Sequence, residues 1–297
     1  MENISFLEEL LLKEYGKDIK DKIMEGYKLR KSTFRVNSLK INHKEVEEIM
    51  SQENIIFQKV PWYDGAYIVE DEEKVRNLNI YKEGKIYFQS LSSMLPVFLL
   101  NPKEKEQILD MTASPGGKSM LMYCLSNGKS LITACEKNKI RFERMNYNLK
   151  KQGINNITTL NKDSLTLDDF FIFDKILLDA PCSGSGTILL NNQNTYKFFN
   201  QNLIHKSMSI QYELLKKAIT LLKPNQEMIY STCSILKEEN EDIINKVLHE
   251  NKIEVVPIDM SLYKDVPILP SKIEGVVTVM PNRFYEGFFI AKLRKKV

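Results

Sequence analysis

Downstream of a turn at Glu83-Gly84, the apolar and polar positions of the chain fall into two alternating patterns. Short, near-continuous apolar runs occur at ILDM (108–111), SLITACE (130–136), ITTLN (157–161), KILLDAP (175–181), EMIYSTC (227–233) and GFFIAKL (287–293). Runs of this length predict strands buried on both faces. Between them, 118–126, 138–152 and 209–223 carry helical spacing. In the last of these, Ile210, Leu214, Ala218 and Leu222 share a face and Pro224 stands behind as a stop. Strands alternating with helices predict an α/β fold, a doubly wound and mostly parallel sheet. Ligands of such sheets bind beyond the carboxyl ends of the strands. Upstream of Gly84 the pattern changes. An amphipathic segment (Phe6, Leu7, Leu10, Leu11) is followed by alternation at 33–41, a helix at 43–51 and an aromatic strand region at 62–69. Two units are expected, a small N-terminal α+β subdomain over 1–85 and the sheet domain over 86–297.

Composition narrows the class. Of 297 residues, 43% are hydrophobic and 27% charged, enough apolar surface for a core and too much for a disordered chain. The longest apolar runs, such as 94–100, fall far short of the roughly 18–20 residues that cross a bilayer. The first residues are acidic before they are apolar, the reverse of a secretory signal. A cytoplasmic protein without membrane contact, acting as a monomer, is expected. The cysteines at 124, 135, 182 and 233 form no CxxC pair, and His43, His205 and His249 are scattered. Neither a metal site nor a disulfide framework is expected, so the cysteines act as thiols.

The formal charge is only +3, but it is unevenly placed. Between Tyr27 and Lys44 stand Lys28, Arg30, Lys31, Arg35, Lys40 and Lys44 with no acid. The stretch 137–151 holds six basic residues against Glu143, and the chain ends KLRKK before Val297. Each cluster alone reads as a solvated face. Together they point to a polyanionic partner, whose counterions Lys and Arg displace.

The chemistry gathers at predicted strand ends. The first strand runs DMTASPGGKS straight into a helix, offering two glycines and free helix N–H groups. A phosphate-cradling Walker loop needs glycine where Thr112 stands, and GxGxxG is absent. There remain an ordinary tight turn and a nucleoside cofactor without a bound diphosphate, for which S-adenosylmethionine is the candidate. Glu136 ends the second strand about 25 residues on, where an acid receives ribose hydroxyls in nucleotide-binding α/β folds. Asp163 follows the third, placed either to meet an adenine edge or to cap a helix. The fourth strand ends DAPCSGSG and the fifth YSTCS. Cys124 and Cys135 read as small buried hydrophobes. Cys182 and Cys233 instead lie in polar loops beside the presumed cofactor, with Lys118 available to lower a thiol pKa.

Two thiols, a carboxylate and a methyl donor suit one reaction in particular. Carbon 5 of a pyrimidine becomes nucleophilic once a thiolate adds to carbon 6. A carboxylate such as Asp179 can hold the exocyclic amine and ring nitrogen while charge builds there. DMTASPGGKS, DAPCSGSG and YSTCS followed by KEENE resemble the RNA 5-methylcytosine methyltransferases of the Nop/Sun group. Further resemblance lies in RVNSLK (35–40), YFQSLSSMLP (87–96), Gln211 and the closing PNRFYEGFFIAKL. The likeness implies Cys233 as nucleophile and Cys182 as an aid to product release. It implies Asp179 at both cofactor and base, and S-adenosylmethionine surrounded by Ala113, Ser114, Pro115, Gly116, Gly117, Lys118, Glu136 and Asp163. It also implies a Rossmann-like methyltransferase domain, an RNA-recognition-like N-terminal subdomain and an RNA substrate, ribosomal RNA ahead of transfer RNA. Leu189 to Asn192 lack the basic residues members often carry there. The alternative from another class is a non-catalytic RNA-binding or assembly factor on the same fold.

Overall fold

The structure, a computed structural model, describes residues 2–250 and 252–297. The N-terminal part comprises α1 (Glu2–Gly26), β1 (Ser32–Val36), α2 (His43–Gln52), β2 (Phe57–Val60), β3 (Tyr63–Val69), α3 (Glu72–Asn77), α4 (Asn79–Lys82) and β4 (Ile86–Phe88). There follow α5 (Leu91–Leu100), β5 (Gln107–Asp110), α6 (Gly117–Leu125), β6 (Leu131–Cys135), α7 (Lys139–Lys151), β7 (Thr158–Leu160), β8 (Phe173–Asp179), α8 (Gln201–Leu221) and β9 (Leu222–Thr232). The last elements are α9 (Glu241–Leu248), β10 (Ile253–Val255), β11 (Ile268–Leu269), β12 (Val277–Val279) and β13 (Phe288–Lys295).

The large sheet has the order β11-β12-β13-β9-β8-β5-β6-β7, with β10 also on β13. Strands β7, β6, β5, β8 and β9 are mutually parallel, while β13 runs antiparallel to β9. The chain winds outward from β5 to β7, then crosses back to β8. That reversal opens the crevice where such sheets hold ligands. GFFIAKL is therefore a strand of the antiparallel flank; its apolar run reports burial on both faces and is silent on direction.

Two expectations about elements are corrected. Helix α8 begins at Gln201, well before 209, because Asn200 Oδ1 caps Leu203 N at 2.9 Å. Pro224 lies inside β9, where the register with β8 jumps between Phe173 and Lys175 and so leaves a proline harmless. The apolar run 94–100 is most of α5. Ser90 caps it, and it is buried on nearly all sides, so no helical stripe marks it.

The small antiparallel sheet has the order β2-β3-β1-β4. Phe34, Val46, Met50, Tyr67, Val69 and Ile86 form its core under α2. Its fourth strand lies past residue 85, because pairing with β1 rather than composition decides its membership. Helix α1, interrupted at Gly16, packs elsewhere: Leu7, Leu11 and Ile23 share a core with Ile188, Phe199, Ile204 and Ile235. Of the alternating stretch only residues 33–36 are strand, and Asn37 then turns the chain by accepting from Leu39 N at 3.2 Å.

The basic 27–44 segment is mostly occupied within the fold. Arg35 is fully buried, its Nε donating to Gln89 Oε1 at 2.8 Å and its Nη2 to Gly117 O at 3.0 Å. Lys28 pairs with Glu25, Arg30 with Glu286, and Lys31 with Glu70. Lys40 Nζ donates to the carbonyls of Glu83 and Lys151. The stretch holds no acid of its own, but the fold brings acids to it. No helix is long and apolar enough to cross a membrane among the described residues.

Candidate active site

Five loops converge beyond the carboxyl ends of β5, β6, β7, β8 and β9. The loop after β5 is pinned by Met111 N to Leu177 O (3.0 Å) and by Ala113 N to Cys135 O (2.8 Å). Gly116 has φ 99°, a left-handed conformation that lets the chain turn into α6. Ser114 Oγ donates to Arg141 O at 2.8 Å and Arg141 Nη2 returns a bond to Ser114 O at 3.0 Å, clamping the loop to α7. The Ser114–Pro115 peptide is cis.

Glu136 directly follows β6 and is only 5% exposed. Its Oε1 accepts from Asn138 N at 2.8 Å, and its Oε2 lies 3.5 Å from Arg141 Nε. Asp163 Oδ1 caps a short helical turn through Leu165 N, and the residue also lines the cleft. That cleft is lined by Ser114, Glu136, Arg141, Asp163, Asp179, Cys182 and Cys233, with Met111, Ile210 and Leu214 as its apolar wall.

The 113–118 loop does not face this cleft as a block. Ala113, Pro115, Gly117 and Lys118 line a second cavity, together with Tyr87, Gln89, Ser93, Glu286 and Phe288. Gly116 borders neither. Thr112, Ser114, Asp179 and Cys233 border both, so these four form the wall between them.

Lys118 Nζ donates to Asp179 Oδ2 at 2.7 Å and to Ser93 Oγ at 2.8 Å, and Ser231 Oγ holds Asp179 Oδ1 at 2.9 Å. Burial alone would lower the Lys118 ammonium, but the Asp179 carboxylate raises it above its ordinary value. The lysine's charge is thus shared with Asp179 instead of being directed at a thiol alone. Beneath them Asp110, buried and accepting from Ser119 Oγ, has its carboxyl pushed up to about 6, mainly by desolvation.

The four cysteines divide in two. Cys124 and Cys135 are buried, and burial pushes the Cys135 thiol up to about 11. Cys182 and Cys233 are partly exposed, their sulfurs 3.2 Å apart. The hydrogen bond with Cys233, then burial, then the charges of Cys233 and Glu239 hold the Cys182 thiol well above its ordinary value. Gly186 N donates to Cys233 O at 2.9 Å. A Cβ on Gly186 would sit 2.0 Å from Gly287 O, so only glycine brings the 182–186 loop this close.

Sequence reasoning missed Arg141, Ser93 and Ser231 in the site. Arg141 was counted with a basic cluster, although it stands one helical turn into the element that Glu136 introduces. Ser93 arrives from α5, far upstream in the chain, and no local signal marks it.

A twisted sheet with its switch point between β5 and β8, a glycine turn after β5 and an acid after β6 define a Rossmann-like methyltransferase domain, whose methyl donor is S-adenosylmethionine. The chain belongs to the 16S rRNA methyltransferase RsmB/F family, which it matches over residues 97–294. It is 30% identical over 288 residues to the ribosomal RNA small subunit methyltransferase F of Shewanella piezotolerans, covering 93% of this chain and 60% of that protein. Against the same enzyme of Vibrio vulnificus it is 32% identical over 275 residues, covering 90% and 58%. The chain thus spans less than two thirds of the length of these curated relatives. A methyltransferase homolog from Pyrococcus horikoshii superposes with TM-score 0.80 and 30% identity, covering 98% of this chain and 99% of that one. The crystal structure of NSun6 from Pyrococcus horikoshii with SFG superposes with TM-score 0.86 at 23% identity, covering 97% of each chain, and shares the fold.

Proposed function

We propose that this protein methylates carbon 5 of a cytosine in structured RNA, ribosomal RNA ahead of transfer RNA, through a covalent bond between Cys233 and carbon 6. One observation carries the reading: two thiols 3.2 Å apart border a wall between an acid-lined cleft and a second cavity. The cleft fits S-adenosylmethionine. Glu136 and Asp163 offer carboxylate oxygens for ribose hydroxyls and the adenine amine, and Met111, Ile210 and Leu214 offer an apolar face for the ring. When bound there, it supplies the electrophilic methyl group. The second cavity takes the base, with Lys118, Ser93 and Phe288 around it and Asp179 reaching it from the wall. The curated relatives are named as small-subunit ribosomal RNA methyltransferases, which favours that substrate.

The Cys233 thiolate forms the sulfur–carbon 6 bond, which enriches carbon 5. Asp179 and Lys118 face the base edge where charge builds. After carbon 5 has gained its methyl group, its proton leaves to a base and the carbon 6–sulfur bond breaks, returning Cys233. Cys182 stands against the Cys233 sulfur and assists this second half.

Labelled RNA on a denaturing gel tests the scheme with wild type and four cysteine-to-alanine variants. Cys233→Ala should give neither methylation nor a covalent protein–RNA band. Cys182→Ala should accumulate a band that survives denaturation and needs both Cys233 and S-adenosylmethionine. Cys124→Ala and Cys135→Ala should keep activity, each losing about 1–2 kcal/mol of packing. A band trapped by Cys233→Ala reverses the assignment, and full activity in all four ends the covalent mechanism.

A further inference from the structure

Two equivalent-looking thiols at 3.2 Å raise a question the scheme leaves open: what makes one of them the nucleophile. Cys182 is followed by Ser183 and Cys233 by Ser234, and both serines bond to the same side chain. Glu239 is completely buried just after β9, in a short helical turn ahead of α9. Its Oε1 accepts from Ser183 N at 2.7 Å and Gln211 Nε2 at 3.3 Å. Its Oε2 accepts from Ser183 Oγ and, at 2.6 Å, from Ser234 Oγ. Two of these donors are N–H groups that can only donate, and the set fills a carboxylate. No cation pairs with it among the described residues, and burial raises its carboxyl above the ordinary value while the hydrogen bonds from Ser183, Ser234 and Gln211 work to lower it. Gln211 also holds Pro181 O at 2.9 Å, and Tyr230 OH donates to Glu239 O at 2.8 Å, so the anion is fastened to both cysteine loops.

We infer that Glu239 is a positioning residue that sets the two thiols apart: its buried carboxylate stands behind Cys182 while its hydrogen bonds to Ser183 and Ser234 hold the Cys182 loop against the Cys233 loop. The charged and titratable groups around Cys182 fit this assignment. Cys233 and Asp179 face it from the strand ends, with the Lys118 ammonium held on Asp179 at the far side of the wall. Glu239 and the buried Tyr230 phenol stand behind it. Lys137, Arg141 and Lys162 line the same cleft as Cys182, with Lys137 held by Asp163 and Arg141 beside Glu136, whereas Cys233 also borders the second cavity with Lys118. The Cys182 thiol is accordingly displaced upward, with the Cys233 hydrogen bond and burial ahead of Glu239 among the causes. A protonated Cys182 cannot compete for carbon 6 and is available as a proton-bearing partner to the sulfur that does. The inference rests on the proposed reaction for its meaning, but its test does not need that reaction.

Glu239→Gln keeps the shape and the bond from Ser183 N and removes the charge. Iodoacetamide labelling of Cys182 is followed by peptide mass spectrometry across pH 6–10, without RNA, in wild type and Glu239→Gln. The same pair is measured on a Cys233→Ser background, where Cys182 titrates alone. Losing the charge should move the Cys182 labelling midpoint to lower pH in both backgrounds and speed its labelling near neutral pH severalfold. In wild type, Cys182 should label with a midpoint above that of a free cysteine thiol. An unmoved Cys182 midpoint in Glu239→Gln, or a wild-type Cys182 midpoint at or below that of a free thiol, overturns the inference. Thermal melting of Glu239→Gln identifies a purely structural loss, and the wild-type Cys182 midpoint decides the matter even if that variant does not fold. Should the labelling behave as stated while the gel assay shows no methylation, the proposed function falls and the role of Glu239 stands.

Discussion

Glu136 and Arg141 make a testable pair. The carboxylate is nearly sealed, yet two of its contacts are a cap bond at 2.8 Å and a loose 3.5 Å approach by Arg141. A carboxylate has room for more, so ligand hydroxyls can be added without displacing a strong partner. Glu136→Ala should weaken S-adenosylmethionine binding by about 1–3 kcal/mol in calorimetry, the cost of unpaired hydroxyls. Unchanged affinity removes Glu136 from the site. Arg35 teaches the opposite lesson. Its charge suggested a phosphate contact, but the side chain is fully buried and joins the small sheet to α6 through Gln89 and Gly117.

Among the basic elements, α7 is the one that keeps its charge outward. Lys139, Arg144 and Lys150 are exposed and carry no salt bridge among the described residues, and Tyr147 beside them is 66% exposed. The helix also introduces the cleft, since Asn138 caps it and Arg141 clamps the 113–116 turn. Charge on this helix therefore sits beside the proposed site of chemistry. Replacing Lys139, Arg144 and Lys150 together by glutamine should weaken RNA binding about equally across sequences. It should also lower the slope of log affinity against log salt by up to about one unit per lost phosphate contact, read by fluorescence anisotropy. The same treatment of Lys28 and Lys31, already paired with Glu25 and Glu70, should move the slope less. An equal change in slope per residue for the triad and the pair would show that the internal acids do not hold the 27–44 cations.

The two sheets are joined by more than a linker. Asn37 Nδ2 donates to Gln152 O at 2.9 Å, Arg35 reaches Gly117, and α1 crosses back to pack under the 188–204 region. Trp62, the single tryptophan, sits at the junction, edge-on to Phe98 and donating to Tyr285 OH at 2.9 Å. Urea unfolding followed by Trp62 fluorescence and by far-ultraviolet circular dichroism should therefore give coincident, single transitions. Separated midpoints would mean that the small sheet undocks before the large one melts.

What could be read without coordinates was whatever is local in the chain. Strands buried on both faces announce themselves as apolar runs, and loops at strand ends are legible because glycine, proline and acid must follow one another there. The parallel core, the Gly116 turn, Glu136, Asp179 and the distinction between the two pairs of cysteines were all visible this way. Direction was not visible in GFFIAKL, since burial is the same for either orientation, nor was α5, whose buried surface leaves no stripe. The Glu70 and Glu286 partners of the basic segment lie elsewhere in the chain, and no spacing rule connects them; Glu25 alone, three residues before Lys28, is within local reach. Nor could any motif show that 113–118 divides between two cavities, or that one buried Glu239 fastens Ser183 to Ser234. Those facts depend on distances between residues far apart in sequence, which folding alone sets.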